Sequence, residues 1–159
     1  MAIKAKSLSV GLPFGLGHLD FEANEVEQRA AWALYVELET RIATKPFDDE
    51  HGLLRNVLSS LYTLFGLTRE ILREAGPEVV HGPKSFGVIA IEVLSKGIAP
   101  FTMWHQPLLD YEQKRPPEVS ALEHEKAWEH YTQMRADLDK LQEQMKIYAD
   151  VLAEIAGAT

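Results

Sequence analysis

An apolar seam near the C-terminus constrains this chain more than any other feature. Tyr131, Met134, Leu138, Leu141, Met145, Tyr148, Leu152 and Ile155 follow one another at alternating steps of three and four. That spacing keeps one stripe of a helix apolar for nearly four heptads, the pattern of a coiled-coil seam packed at about 20° to its neighbours. Ala127 extends the phase backwards, and Gly157 closes it. Pro117 suits a helix start. From there to Ile155 the helix would be roughly 55–60 Å long. Such a stripe needs other helices to cover it.

Three earlier segments can supply the cover. The first is expected from Asn24 to Thr44, with Asn24 and Glu27 at capping-box spacing and Ala31, Leu34, Tyr35, Leu38 and Ile42 on one face. The second runs from about Asp49 to Ala75. Its two adjacent apolar stripes, through Leu54, Leu58 and Leu61 and through Leu53, Val57 and Leu64, make a wide buried face, and Gly76-Pro77 stops it. The third starts after Ser85 and meets Pro100 and Pro107, where a helix must kink or restart. Short loops marked by Pro and Gly join the four. The expected fold is all-α: an elongated antiparallel four-helix bundle with a long coiled-coil-like C-terminal helix. Residues 1–21 read as an irregular N-terminal arm (a loop, an extended segment or a short hairpin) and residues 22–157 as the bundle domain. Leu12 and Phe14 lie in the arm's Gly-rich apolar stretch and are expected to dock on a partner or on the chain's own bundle.

The chain's 159 residues fit one domain. The absence of cysteine excludes disulfides, zinc fingers, iron–sulfur clusters and thiol nucleophiles. A net charge of −8 argues against nucleic acid as a direct partner. That charge is uneven. From His51 to Ala75 the charge is about +1 (three Arg against Glu70 and Glu74), whereas residues 118–159 are about −5 (nine acids against four bases). No uninterrupted apolar run reaches the roughly 18 residues of a membrane span. No membrane association is therefore expected, and the expected location is the cytoplasm.

Candidate chemistry is sparse. A di-metal carboxylate bundle needs Glu-x-x-His pairs on helices. Glu78-Val-Val-His81 has the spacing but lies between Pro77 and Pro83. His124 and His130 are six apart and cannot share a metal from one helix, so residues 123–130 read as a solvated polar face. No metal, cofactor or catalytic residue is expected. Trp104-His105, held between the two prolines, is the most distinctive pair. It reads first as packing at a kink, then as an interface anchor, and last as an acid–base site.

The runs Ala30-Ala-Trp32-Ala-Leu-Tyr35, Leu61-Tyr-Thr-Leu-Phe65 and Pro100-Phe101-Thr-Met-Trp104-His105-Gln-Pro107 resemble those of uncharacterised bacterial helical modules associated with conflict or defence systems. The resemblance spans about residues 18–157 and implies an accessory or protein-interaction part beside an effector. It carries over no catalytic residue. The expected function is a non-enzymatic interaction or regulatory module that binds a protein partner, forms a homo-oligomer, or both, through Leu12, Phe14, Trp32, Phe101, Trp104 and His105. One alternative is a ligand-binding or enzymatic bundle built on Trp104 and His105. Another is an oligomeric accessory for a nucleic-acid-processing partner.

Overall fold

The computed structural model describes residues 6–83 and 85–158. The chain is mostly helical, with a small antiparallel sheet. That sheet corrects the expectation of an irregular arm. Strands β1 (Lys6–Gly11) and β2 (His18–Ala23) pair with Val10 opposite Leu19. Alternation buries Leu8, Val10, Leu19 and Ala23 and leaves Ser7, Ser9, Asp20 and Glu22 in solvent. The sheet runs two residues past the boundary drawn at residue 21. The first five residues of the expected arm lie outside the described residues.

The tip of this hairpin sits on its own chain. Phe14 and Gly15 both have positive φ, 57° and 68°, as a primed hairpin turn requires. For Phe14 that conformation is strained. Two contacts hold it: its N–H donates to Gln144 Oε1 at 2.6 Å, and its ring lies over Gly97, where a Cβ would come within 2.5 Å of it.

Helix α1 (Glu25–Thr40) has the expected capping box in full, with Asn24 accepting from Glu27 N–H and Glu27 accepting from Asn24 N–H. It ends four residues early, and a 3₁₀ turn over Ile42–Thr44 follows. Helix α2 (Leu54–Ala75) starts later than the pattern indicates. Asp48 Oδ1 accepts from the N–H groups of Glu50 and His51, which winds residues 48–51 into a turn instead.

The third segment is a succession of pieces. Helix α3 (Phe86–Glu92) opens into a π-turn over Val93–Ile98, then come α4 (Ala99–Thr102), a bend at Met103 and Trp104, and α5 (His105–Glu112). Ala99 N–H donates to Leu94 O, five residues back. This wider turn places Pro100 at the start of α4, where no N–H is needed. Pro107 likewise falls in the first turn of α5. The stretch Phe86–Glu112 is long and apolar enough to cross a membrane by length and composition, although no uninterrupted apolar run in it reaches the roughly 18 residues of a span; 44% of its most apolar window is buried inside the protein.

The expected helix from Pro117 is also broken. Helix α6 (Ala121–Lys126) is followed by a turn over residues 127–130, and α7 occupies Tyr131–Ala156. Its 26 residues span about 39 Å, well short of the expected length. Nothing in Ala-Trp-Glu-His is a strong helix breaker. The turn instead lets Trp128 and Glu125 be buried, at 5% and 3% exposure, and their tertiary contacts override local propensity. The seam itself packs as the spacing requires: Met134, Leu138, Leu141, Met145, Tyr148, Leu152 and Ile155 are buried, with α1 the main neighbour of α7.

Candidate functional site

The densest polar constellation lies where α2, α5 and α6 meet, and it includes His105. Helix α2 has no side-chain cap of its own. Glu125, from α6, supplies one: its two oxygens accept from Leu54 N–H at 2.6 Å and Arg55 N–H at 3.2 Å. A carboxylate there also meets the positive end of the α2 dipole. Burial pushes the Glu125 carboxyl above its ordinary value, opposed by those two backbone bonds and assisted by the Glu112 charge.

Arg55 then faces α5. Its Nε lies 3.0 Å from both Glu112 oxygens, and its Nη2 donates to Glu112 Oε1 at 2.6 Å. Its Nη1 lies 2.9 Å from His105 Nδ1. A guanidinium only donates, so Nδ1 is the acceptor and His105 is the neutral Nε2–H tautomer. The imidazole also meets the Tyr62 ring edge-on at 5.6 Å. Beside these groups is a hollow of about 260 Å³, bounded by Leu53, Arg55, Glu112, Arg115, His124 and Glu125.

A row of aromatic rings continues from it. His124 stacks on Tyr111 at 3.9 Å and 8°, and two hydrogen bonds tie them: Tyr111 OH donates to His124 O, and His124 Nε2–H to Tyr111 O. Tyr111 meets Trp128, Trp128 meets Trp104 edge-on at 5.7 Å, and Trp104 Nε1–H donates to Asp137 Oδ2 of α7 at 3.0 Å. Residues 123–130 are therefore not a uniform solvated face. Glu125 and Trp128 are buried, and only part of the segment meets water.

A second buried carboxylate repeats the cap. Glu27 is fully buried. Beyond its bond to Asn24, its Oε2 accepts from Phe86 N–H at 2.8 Å, which caps α3, and its Oε1 lies 2.7 Å from His81 Nε2. That bond raises the His81 pKa above its ordinary value, against a smaller effect of burial. Among the described residues, no group of three or more His, Asp or Glu is placed to hold a metal ion.

Chemically, these clusters are closed on themselves. Both Glu125 oxygens accept helix N–H groups, His105 keeps no free lone pair, and Arg55 is spent on Glu112 and His105. They lock helix starts to distant segments.

The six residues singled out in sequence are not one site. Phe14 and Phe101 border a common notch with Gly97, Pro100 and Leu141. Leu12 is half-buried nearby in sequence, and Phe101 is buried. Trp104 and His105 are adjacent, yet one bonds to α7 and the other to α2. Trp32 stands apart, 50% exposed and stacked on Tyr35 at 5.7 Å. Sequence reasoning missed Tyr62, Val80, Ile91 and Met103, all exposed apolar or aromatic side chains. Helical phase gave no signal for Tyr62, which lies only about 40° around α2 from buried Leu58. Neither a family model, nor a curated protein, nor a solved structure matches this chain.

Proposed function

We propose that the chain is a non-enzymatic helical module that works by binding another protein, and that it is an accessory part of a bacterial defence or signalling system. The exposed apolar surface carries this reading. Trp32, Val36, Ile42, Tyr62, Val80, Ile91, Met103 and Ile147 are all well exposed, Met103 at 77%. Exposed aromatic residues and methionine are enriched where proteins meet. The polar clusters favour the same reading, because most of their hydrogen bonds hold helices together. In this reading the four helical segments form an elongated antiparallel bundle, and the coiled-coil-like seam of α7 is its spine. The scaffold belongs in the cytoplasm and takes no cofactor.

The test is photo-crosslinking in the cells that encode the chain, from a benzoylphenylalanine placed singly at Trp32, Tyr62 or Met103, with buried Val57 as the control. Discrete protein adducts from the exposed positions and none from the control are expected. No adduct from any exposed position would refute the reading.

A further inference from the structure

The three arginines of α2 share one edge of that helix. At 3.6 residues per turn, Arg55, Tyr62, Arg69 and Arg73 fall within about 40° of one another, flanked by Phe65 and Leu72. This edge borders the third segment along its length. Arg55 reaches Glu112 and His105, Tyr62 meets His105, and Leu72 and Arg73 share a hollow of about 340 Å³ with Pro77, Val80, Gly87 and Ile91. Tyr62, Val80, Ile91 and Met103 are 45%, 48%, 52% and 77% exposed. Tyr62 is on α2, Ile91 and Met103 are on the third segment, and Val80 is in the loop that joins the two.

Part of the charge on this edge has no acidic partner among the described residues. Arg55 is neutralised by Glu112. Arg69 lies over the Phe65 ring at 5.6 Å, and neither Arg69 nor Arg73 has an acidic partner among the described residues. Glu92, across the boundary, is engaged by Lys96 at 2.8 Å. Glu74 lines the opposite edge of α2, toward α1. Glu70 and Glu74 balance the two arginines by count, but they lie about 60° and 100° around the helix from Arg73, so the edge itself presents the cations.

We propose that this edge and the adjoining side of the third segment dock an acidic amphipathic helix of a partner protein; the proposal rests on the module reading above. Carboxylates of the partner pair with Arg69 and Arg73, and its apolar face covers Tyr62, Leu72, Ile91 and Met103. From Arg55 to Arg73 the edge is about 27 Å long, room for about 18 helical residues. Grooves of this kind are read by apolar anchors at i, i+3 or i+4, and i+7. A nucleic acid fits less well, because aliphatic Val80, Ile91 and Met103 offer no donors to phosphate and the overall charge repels it.

A displayed library of helical peptides about 18 residues long, selected on the full chain and then compared on R69E/R73E, tests this. Both arginines are exposed, so the double variant should stay folded, melting a few degrees lower because R69E loses the Phe65 contact and R73E puts an acid in the last turn of α2. Enriched peptides should be acidic, carry apolar residues at helical spacing, and bind R69E/R73E at least about tenfold more weakly, with R69Q/R73Q intermediate. No enrichment, enrichment without acidic bias, or equal affinity for R69E/R73E would overturn the proposal. So would a short oligouridylate that outcompetes the peptides, or self-association that R69E/R73E abolishes. Adducts from Trp32 persisting under any of these results would leave the module reading in place.

Discussion

Glu125→Ala should be the most damaging single change to this scaffold among its exposed and buried acids outside α1. It removes both acceptors at the start of α2, which has no local cap. A buried N–H left without an acceptor costs about 1–3 kcal/mol. Leu54 is buried, whereas Arg55 is half-buried and its N–H can turn to water. Losing the carboxylate's own burial offsets part of the cost. The sum is about 3 kcal/mol. With a urea m-value of about 2 kcal/mol/M, the unfolding midpoint falls by about 1.5 M. Amide exchange at Leu54 and Arg55 should accelerate more than at Leu64. Glu129→Ala, an exposed neighbour, should stay within about 0.5 kcal/mol of wild type. There is a pH signature as well. The folded Glu125 carboxyl is raised, so the stability it contributes is full below its unfolded value and declines as pH rises through the folded one. Glu125→Gln lacks that dependence, and the advantage of wild type over it should narrow toward neutral pH. A midpoint shift below about 0.25 M, or unchanged exchange at Leu54, would refute the capping argument.

Gly97→Ala forces a methyl against the Phe14 ring and should cost about 1–3 kcal/mol by thermal melting; Phe14→Ala in the same chain should cost less than the two changes summed. The His81 pKa is raised by Glu27, so its stabilisation is full below its ordinary value of 6.5 and lost as pH rises through the folded value. Wild-type urea midpoints should therefore fall as pH climbs above 6.5, and those of His81→Asn should lack this component. Trp104→Phe removes the indole N–H bond to Asp137 and should cost about 1 kcal/mol, with a changed near-ultraviolet circular dichroism signal from the Trp128 pair.

Legibility in the sequence followed the range of the interaction. The capping box of Asn24 and Glu27, the stop at Gly76 and the α7 seam are local signals, and each is where its spacing puts it. The start of α2 was not legible, because its cap comes from Glu125, about seventy residues away in sequence. Glu27 was legible as a capping residue of α1 but not as the cap of α3. The break at residues 127–130 has no local cause; it follows from burying Trp128 beside Trp104 and Tyr111. Prolines 100 and 107 announced a disruption without revealing that a π-turn would absorb the first. The glycines of residues 11–17 left a short hairpin open beside a loop or an extended arm, although Leu8-Ser9-Val10 alternates as a strand does. Of the candidate surface, Trp32 was identified and the α2 edge was not. Its arginines were counted for their charge, not for the face they share.

We propose that this chain works by contact through its exposed surface and not by chemistry at His105. The most direct measurement is the native size of the chain in extracts of its own cells, for wild type, the surface variant W32A/Y62A/M103A, and H105N, whose amide oxygen can still accept from Arg55. Wild type and H105N should elute well above the 17.9 kDa of a single chain, and the surface variant should fall toward it at equal abundance. Wild type eluting at the mass of one chain, or H105N losing the complex while the surface variant keeps it, would contradict the account.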